Sequence, residues 1–250
     1  MTNMDKNFVI TKRFLFFYPI NFLPNRFYMI LLDEHIVFPP VSVASPEGVL
    51  AIGGDLSPER LMLAYRSGIF PWFDDDSSIL WWSPDPRMVL FPDELKISAS
   101  MRKVISREVF SITFNNNFDA VIRACAATKR PGQEGTWITE EMIAAYVRLH
   151  RLGYAKSVEV WQDEMLVGGL YGIDLGHVFC GESMFARVSN ASKAGFIALV
   201  QKLKAAGHKL VDCQVHTAHL ASLGAREIPR DVFMRLLQGE GAPPRSGSVV

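Results

Sequence analysis

The sequence predicts an α/β core behind a smaller N-terminal domain, and three observations carry that prediction. Residues 155–162, 165–173 and 177–185 read as three successive strands, separated by short turns at Asp163-Glu164 and Leu175-Gly176. The segment opened by Asn190-Ala191-Ser192-Lys193 reads as a helix to Ala206, with Gly207 at its end. That helix is long enough for a crossover, so the next apolar run, Leu210 to Val215, returns as a strand parallel to residues 177–185. A core of this kind holds its ligands in the crevice at the strand ends.

Ahead of the core, residues 38–87 are dense in Pro, Gly and aromatic side chains, too aromatic for a linker. Ser57 caps a helix that Pro58 starts and Gly68 stops. Phe70-Pro71-Trp72-Phe73, an acidic loop at Asp74 to Asp76, and Trp81-Trp82 follow, which reads as a small domain or the wall of a cleft. Gly53-Gly54-Asp55 lacks both the P-loop lysine and the dinucleotide glycine spacing, so it is a turn and not a nucleotide site. Further on, the pattern predicts a weakly amphipathic helix over 95–107 and a strand over 110–114. A helix over 118–126 is capped by Asn117, and another runs from Thr139 to about Leu152 with Glu140 and Glu141 in its first turn. The expected organisation is a small N-terminal domain over 29–93 and a catalytic domain over 94–238. A Pro/Gly-rich tail, 239–250, is expected to be disordered.

Composition bounds the function. Of 250 residues, 49% are apolar, enough for a substantial core. Lys and Arg number 26, as do Asp and Glu, and zero net charge argues against broad non-specific nucleic-acid binding while allowing a local contact. Cys125, Cys180 and Cys213 form no disulfide framework and suit a reducing cytoplasm. Residues 1–28 are aromatic and apolar, but Pro19, Pro24 and Arg26 interrupt them well short of the ~20 apolar residues of a membrane helix. They read as an extension outside the fold, with Met29 as the natural start, and no membrane partner is expected.

The candidate chemistry centres on Lys209–Ala225, KLVDCQVHTAHLASLGA. Asp212 and Gln214 lie two apart on a strand, so both point to one face and Cys213 to the other. Buried polar groups need partners, which makes Asp212–Gln214 either a structural pair or a relay in which the acid polarises the amide. The relay places both side chains on the cleft and Cys213 in the packing. Glu182, in Gly181-Glu182-Ser183-Met184-Phe185, is placed to hold a substrate cation or to stand exposed on its strand. A nucleophile elbow at Ser183, with His219 and Asp212 as partners, fails because Phe185 stands where the second glycine belongs. Cys213-x-x-His216-x-x-His219 has metal-like spacing but no Cys-x-x-Cys beside it, so no metal is expected and His219 reads as a hydrogen-bonded turn residue. Trp72, Trp81, Trp82 and Trp137 offer stacking surfaces or plain core, and Arg102, Lys103, Lys129 and Arg130 a phosphate contact or a solvated face.

The stretches GVLAIGGDLSP, YRSGIFPWF, WWSPDPR, EGTWIT, VEVW, LVGGLYG, FCGESMF, NASK, LVDCQ and HLASLGA occur in order over about Phe38 to Leu237. In that order they resemble the bacterial leucyl/phenylalanyl-tRNA–protein transferase family. The resemblance implies a GNAT-like acyltransferase domain that uses no cofactor. It implies transfer of Leu, Phe or less often Met from aminoacyl-tRNA to the N-terminal amine of proteins beginning with Arg or Lys, which marks them for N-end rule degradation. It places the catalytic pair on Asp212 and Gln214, the tryptophans beside the terminal adenosine on Trp72 and Trp137, and the side-chain pocket on Phe179 and Met184. Glu182 is expected to bind an amine or the acceptor's basic side chain. A monomer is expected. The alternatives are a non-catalytic module for basic N-termini and a zinc hydrolase built on Cys213, His216 and His219.

Overall fold

The computed structural model describes residues 30–73, 78–128 and 138–240. Two sheets organise them. The smaller contains β1 (Ile30–Leu32), β2 (Val49–Gly53), β3 (Phe70–Pro71) and β4 (Leu80–Trp82), in the order β1-β2-β4-β3. Between β2 and β3 runs helix α1 (Pro58–Arg66). Ser57 caps it by accepting from the Arg60 N–H, and Pro58 stands at its first turn, where no N–H is needed.

The next strand, β5 (Arg87–Leu90), leaves the small sheet and enters the large one. Its four residues are all buried. It pairs there with the later strands Leu210–Gln214 and Arg226–Ile228. Then come α2 (Ala99–Ser106), β6 (Ser111–Phe114), α3 (Phe118–Ala126) and α4 (Glu140–Arg151). The helix expected over 95–107 is shorter because Pro92–Glu94 forms a single tight turn and Ser98 sets the start, accepting from the Met101 N–H. The meander follows as β7 (Ala155–Gln162), β8 (Met165–Asp174) and β9 (Val178–Ala186). After it come α5 (Ala191–Ala205), β10 (Leu210–Gln214), α6 (Ala218–Ser222), β11 (Arg226–Ile228) and α7 (Arg230–Leu237).

The seven-stranded sheet has the order β11-β5-β10-β9-β8-β7-β6. β9 and β10 are parallel, as the crossover through α5 requires, and the other neighbours are antiparallel. Meander, crossover helix and parallel strand are the succession expected of the acyltransferase core. Helices cover both faces. A side chain at Gly169 would meet Val121 of α3, and one at Gly168 would meet Ala191 of α5. Successive strand residues point to opposite faces, so α3 and α5 lie on opposite sides of the sheet.

The core divides accordingly. On the α3 side one apolar cluster runs from Trp81 and Tyr65 through Tyr146 and Tyr171 to Phe233, so it includes both sheets. On the α5 side Val158, Leu170, Phe179, Phe196 and Val211 form the second. No helix among the described residues is long and apolar enough to cross a membrane.

Candidate active site

β9 and β10 stay paired only through Val178, Phe179 and Cys180 against Leu210, Val211 and Asp212. Beyond that the two strands part, and the gap opens into a cavity of about 500 Å³. Residues from both faces of the sheet line it, with Phe70 and Tyr171 from one side and Phe196, Leu199 and Val211 from the other. The lining is mostly apolar. Glu182 of β9 and Gln214 of β10 are among its polar groups.

Asp212 is the last paired residue of that join. Its carboxylate is 1% exposed and meets an equally buried guanidinium. Arg87 Nε donates to Oδ1 at 2.8 Å and Nη2 to Oδ2 at 2.7 Å, a two-point contact that matches the two planar groups. The guanidinium lies between the rings of Phe70 and Phe233, 4.8 and 4.7 Å from their centroids. Oδ1 also accepts the backbone N–H of Gln214 at 2.9 Å. Asp212 thus holds Gln214 by its main chain.

Gln214 takes φ 64°, and the register against β5 shifts between it and Asp212. The two residues therefore do not share a face in the way regular alternation implies. Val211, Cys213 and Gln214 line the cavity, and Asp212 turns to the Arg87 side. This differs from the expectation that Asp212 and Gln214 face the cleft together with Cys213 packed away. Gln214 Nε2 donates to Glu182 Oε1 at 2.8 Å, so the carboxylate on the amide is that of β9. The Gln214 Oε1 has no hydrogen-bond partner among the described residues.

Glu182 also accepts at Oε2 from Tyr146 Oη at 3.0 Å, and Tyr146 shares a hydrogen bond with Tyr65 Oη of α1. Burial pushes the Glu182 carboxyl up to about 7. Hydrogen bonds from Tyr65, Tyr146 and Gln214 pull the other way, and the nearby Asp212 charge adds to the rise. Both tyrosines titrate well above their ordinary value, chiefly from burial and then from the Glu182 charge, so they remain O–H donors.

Phe179, Met184 and Trp72 line the cavity, and Trp72 is 38% exposed. Trp137 and residues 74–76 lie outside the described residues. Cys213 touches the cavity as a thiol, its pKa raised by burial. Cys213, His216 and His219 do not come together as a ligand set. Among the described residues the only such grouping is exposed, at Asp33, Glu34 and His35. Asp212 spends its oxygens on Arg87 and the Gln214 N–H, so Ser183, His219 and Asp212 form no triad. His219 lines the cavity, and its pKa is lowered first by burial and then by the charge of Lys193.

Sequence reasoning passed over Arg87, Tyr65 and Tyr146. Arg87 had a signal: an acid in a buried strand needs a cation, and WWSPDPR supplies one beside an apolar run. The tyrosines had none, because each sits on the apolar stripe of its helix.

Residues 89–238 match the model of the leucyl/phenylalanyl-tRNA protein transferase family, and residues 54–85 match that of its N-terminal domain. The chain is 65% identical over 212 residues to the leucyl/phenylalanyl-tRNA--protein transferase of Flavobacterium johnsoniae, spanning 85% of this chain and 100% of that one. It is 60% identical over 207 residues to the same-named protein of Syntrophus aciditrophicus, spanning 83% of this chain and 87% of that one. Among solved structures it is similar to a ribosomal-protein-alanine N-acetyltransferase of Brucella melitensis, with 15% identity and a TM-score of 0.33, covering 57% of this chain and 98% of that one. By its two matching models and by the identity it keeps over 212 residues, the chain belongs to the leucyl/phenylalanyl-tRNA protein transferase family.

Proposed function

We propose that the protein moves Leu, Phe or less often Met from the 3′ ester of its tRNA to the N-terminal amine of proteins that begin with Arg or Lys. The observation that carries this reading is the apolar cavity in the β9–β10 gap, with Gln214 at the strand separation and its amide fixed by Glu182. Phe179, Met184, Phe196 and Val211 offer an apolar floor to an aliphatic or aromatic side chain. Trp72 offers a stacking face to the terminal adenine, a contact worth ~1–3 kcal/mol per base.

In this reading the acceptor's neutral α-amine attacks the ester carbonyl. The C–N bond forms, the bond to the ribose 3′ oxygen breaks, and of the amine's two protons one stays on the new amide while the other ends on the 3′ oxygen. Gln214 Oε1 accepts a hydrogen bond from the attacking N–H. Glu182, on the opposite end of the same amide, increases the negative charge on that oxygen. Asp212 acts one step removed, holding the Gln214 main chain through its N–H with Arg87 behind it. Because the ester is already activated, orientation supplies much of the acceleration.

The direct test supplies radiolabelled leucyl-tRNA and short peptides beginning with Arg, Lys or Glu. Label should pass to the Arg and Lys peptides only, and Asp212→Ala should abolish it. Peptide binding with no transfer would favour the non-catalytic module. Equal transfer to all three peptides would sink the proposed specificity.

A further inference from the structure

We propose that His219 is a substrate-contacting residue, whose imidazole hydrogen-bonds the ribose 2′-hydroxyl beside the aminoacyl ester. The inference rests on the transferase reading above.

The ring has no structural task. Around it the turn is closed by other groups. Thr217 Oγ1 accepts from the Leu220 N–H, Ser222 Oγ donates to the His219 carbonyl, and the Gly224 N–H donates to the Ala221 carbonyl. The imidazole lines the same cavity as Gln214, and its Nε2 is enclosed without a hydrogen-bond partner. An enclosed polar atom left unpaired is a cost to the free protein, and one that a ligand group can remove. Of the other polar groups that line the cavity, Glu182 and the Gln214 amide N–H are already joined to each other.

The chemistry of the partner follows from the charge state of the ring. Burial and the positive Lys193 both disfavour the imidazolium, so the ring is neutral at physiological pH. Neutral imidazole offers one donor and one acceptor. A phosphate or carboxylate would call for the cation. The ester carbonyl and the 3′ oxygen can only accept. A hydroxyl can give or take, so it suits either tautomer, and in an aminoacyl-tRNA the 2′-hydroxyl is the one adjacent to the reacting ester. The placement agrees: α6 begins four residues after Gln214, and Gln214 and His219 line the same cavity.

The test is a double-mutant cycle in which one of the changes is on the ligand. The probes are phenylalanyl-adenosine with the ester replaced by a 3′ amide, and the same compound lacking the 2′-hydroxyl. Binding of each to the wild type, His219→Leu and His219→Gln is measured by calorimetry. Loss of one hydrogen bond should weaken binding roughly tenfold. The wild type should lose that factor when the hydroxyl is removed. His219→Leu should bind both probes equally, at the weaker level. His219→Gln, which keeps a donor and an acceptor, should retain part of the preference for the hydroxyl. Should the leucine variant fail to fold, the glutamine variant decides by that retained part. Additive losses in protein and ligand would overturn the contact, as would a wild type that binds both probes alike or neither. Leucine transfer by the wild type, measured separately, tests the transferase reading itself, so the two can fail independently.

Discussion

Glu182 is a carboxylate held in a largely apolar cavity by two tyrosine hydroxyls and an amide, and its acidity controls what Gln214 can do. The ionised form accepts from Gln214 and from Tyr146, while the protonated form gives up one acceptor position. The carboxyl is raised from its ordinary 4.5 to about 7, so activity should rise with pH through about 7. The acceptor amine adds a second rise near ~7.7–8.0. In Glu182→Gln only that second rise should remain in the pH–rate profile, and an unchanged first rise would assign it to another group. Tyr146→Phe removes a hydrogen bond that lowers the carboxyl, so its first rise should move to higher pH. The stability consequence has a definite sign. A raised folded pKa gives a contribution that is complete below the unfolded value and is lost as pH rises through about 7. Between these limits the wild type should lose at most about 3 kcal/mol relative to Glu182→Gln, read from urea unfolding at pH 4.5 and pH 8. Arg87 and Asp212 make the opposite kind of site, a buried ion pair joined at two points. Asp212→Leu or Arg87→Met alone leaves a buried charge and should cost about 3–5 kcal/mol. The double variant should lose clearly less than the two single losses combined, and additive losses would show that the pair does not act as a unit.

At the level of elements, the bend at the end of β10 does what a regular strand cannot. Asp212 pairs with the buried Arg87 of β5, Gln214 turns into the cavity, and the register shift between them allows both. That shift was not legible in the sequence, since a glutamine at φ 64° carries no glycine to announce it. What was legible had a periodic signal: α3 capped by Asn117, β7 over Ala155–Gln162, and the parallel return after α5. β5 and β11 are four and three residues long, too short for alternation to register, and β5 brings the arginine that completes the site. The final turn was legible through Gly224, and its demand is strict. Gly224 has φ +104°, and a methyl group there would lie 2.3 Å from the Glu94 carbonyl oxygen. Gly224→Ala should therefore cost more than ~2 kcal/mol, from an unfavourable backbone together with a clash against main chain. Gly207→Ala is the control within the chain: φ +82° and nothing within 4 Å, hence the backbone cost alone, ~1 kcal/mol. Equal losses of Tm in the two variants would mean that the contact with Glu94 is relieved at no cost.

Across the whole molecule, the site belongs to both halves. Tyr65 comes from α1 beside the small sheet, Tyr146 from α4, Glu182 and Gln214 from the large sheet, and one chain of hydrogen bonds joins them. The apolar cluster beneath follows the same path, from Leu50 and Trp81 through Tyr65 and Tyr146 to Ile173 and Phe233. Arg87 adds a second tie, since its guanidinium rests on Phe70 of the small sheet while its carboxylate partner is in the large one. Two sheets that share one continuous core should unfold together. The tryptophans make this measurable. Trp72, Trp81 and Trp82 lie in or beside the small sheet and Trp161 in the large one, so fluorescence weights the small half, whereas far-UV circular dichroism weights the helices, of which α3, α4 and α5 pack on the large sheet. The two signals should trace one urea transition with the same midpoint. Tyr65→Phe deletes one hydroxyl from the link and leaves the ring packed, so the midpoint should fall by the worth of about one buried hydrogen bond, ~1 kcal/mol, in both signals at once. If fluorescence instead moved first and circular dichroism kept its wild-type midpoint, the halves would be independent units, and Tyr65 would be a local contact of the small one.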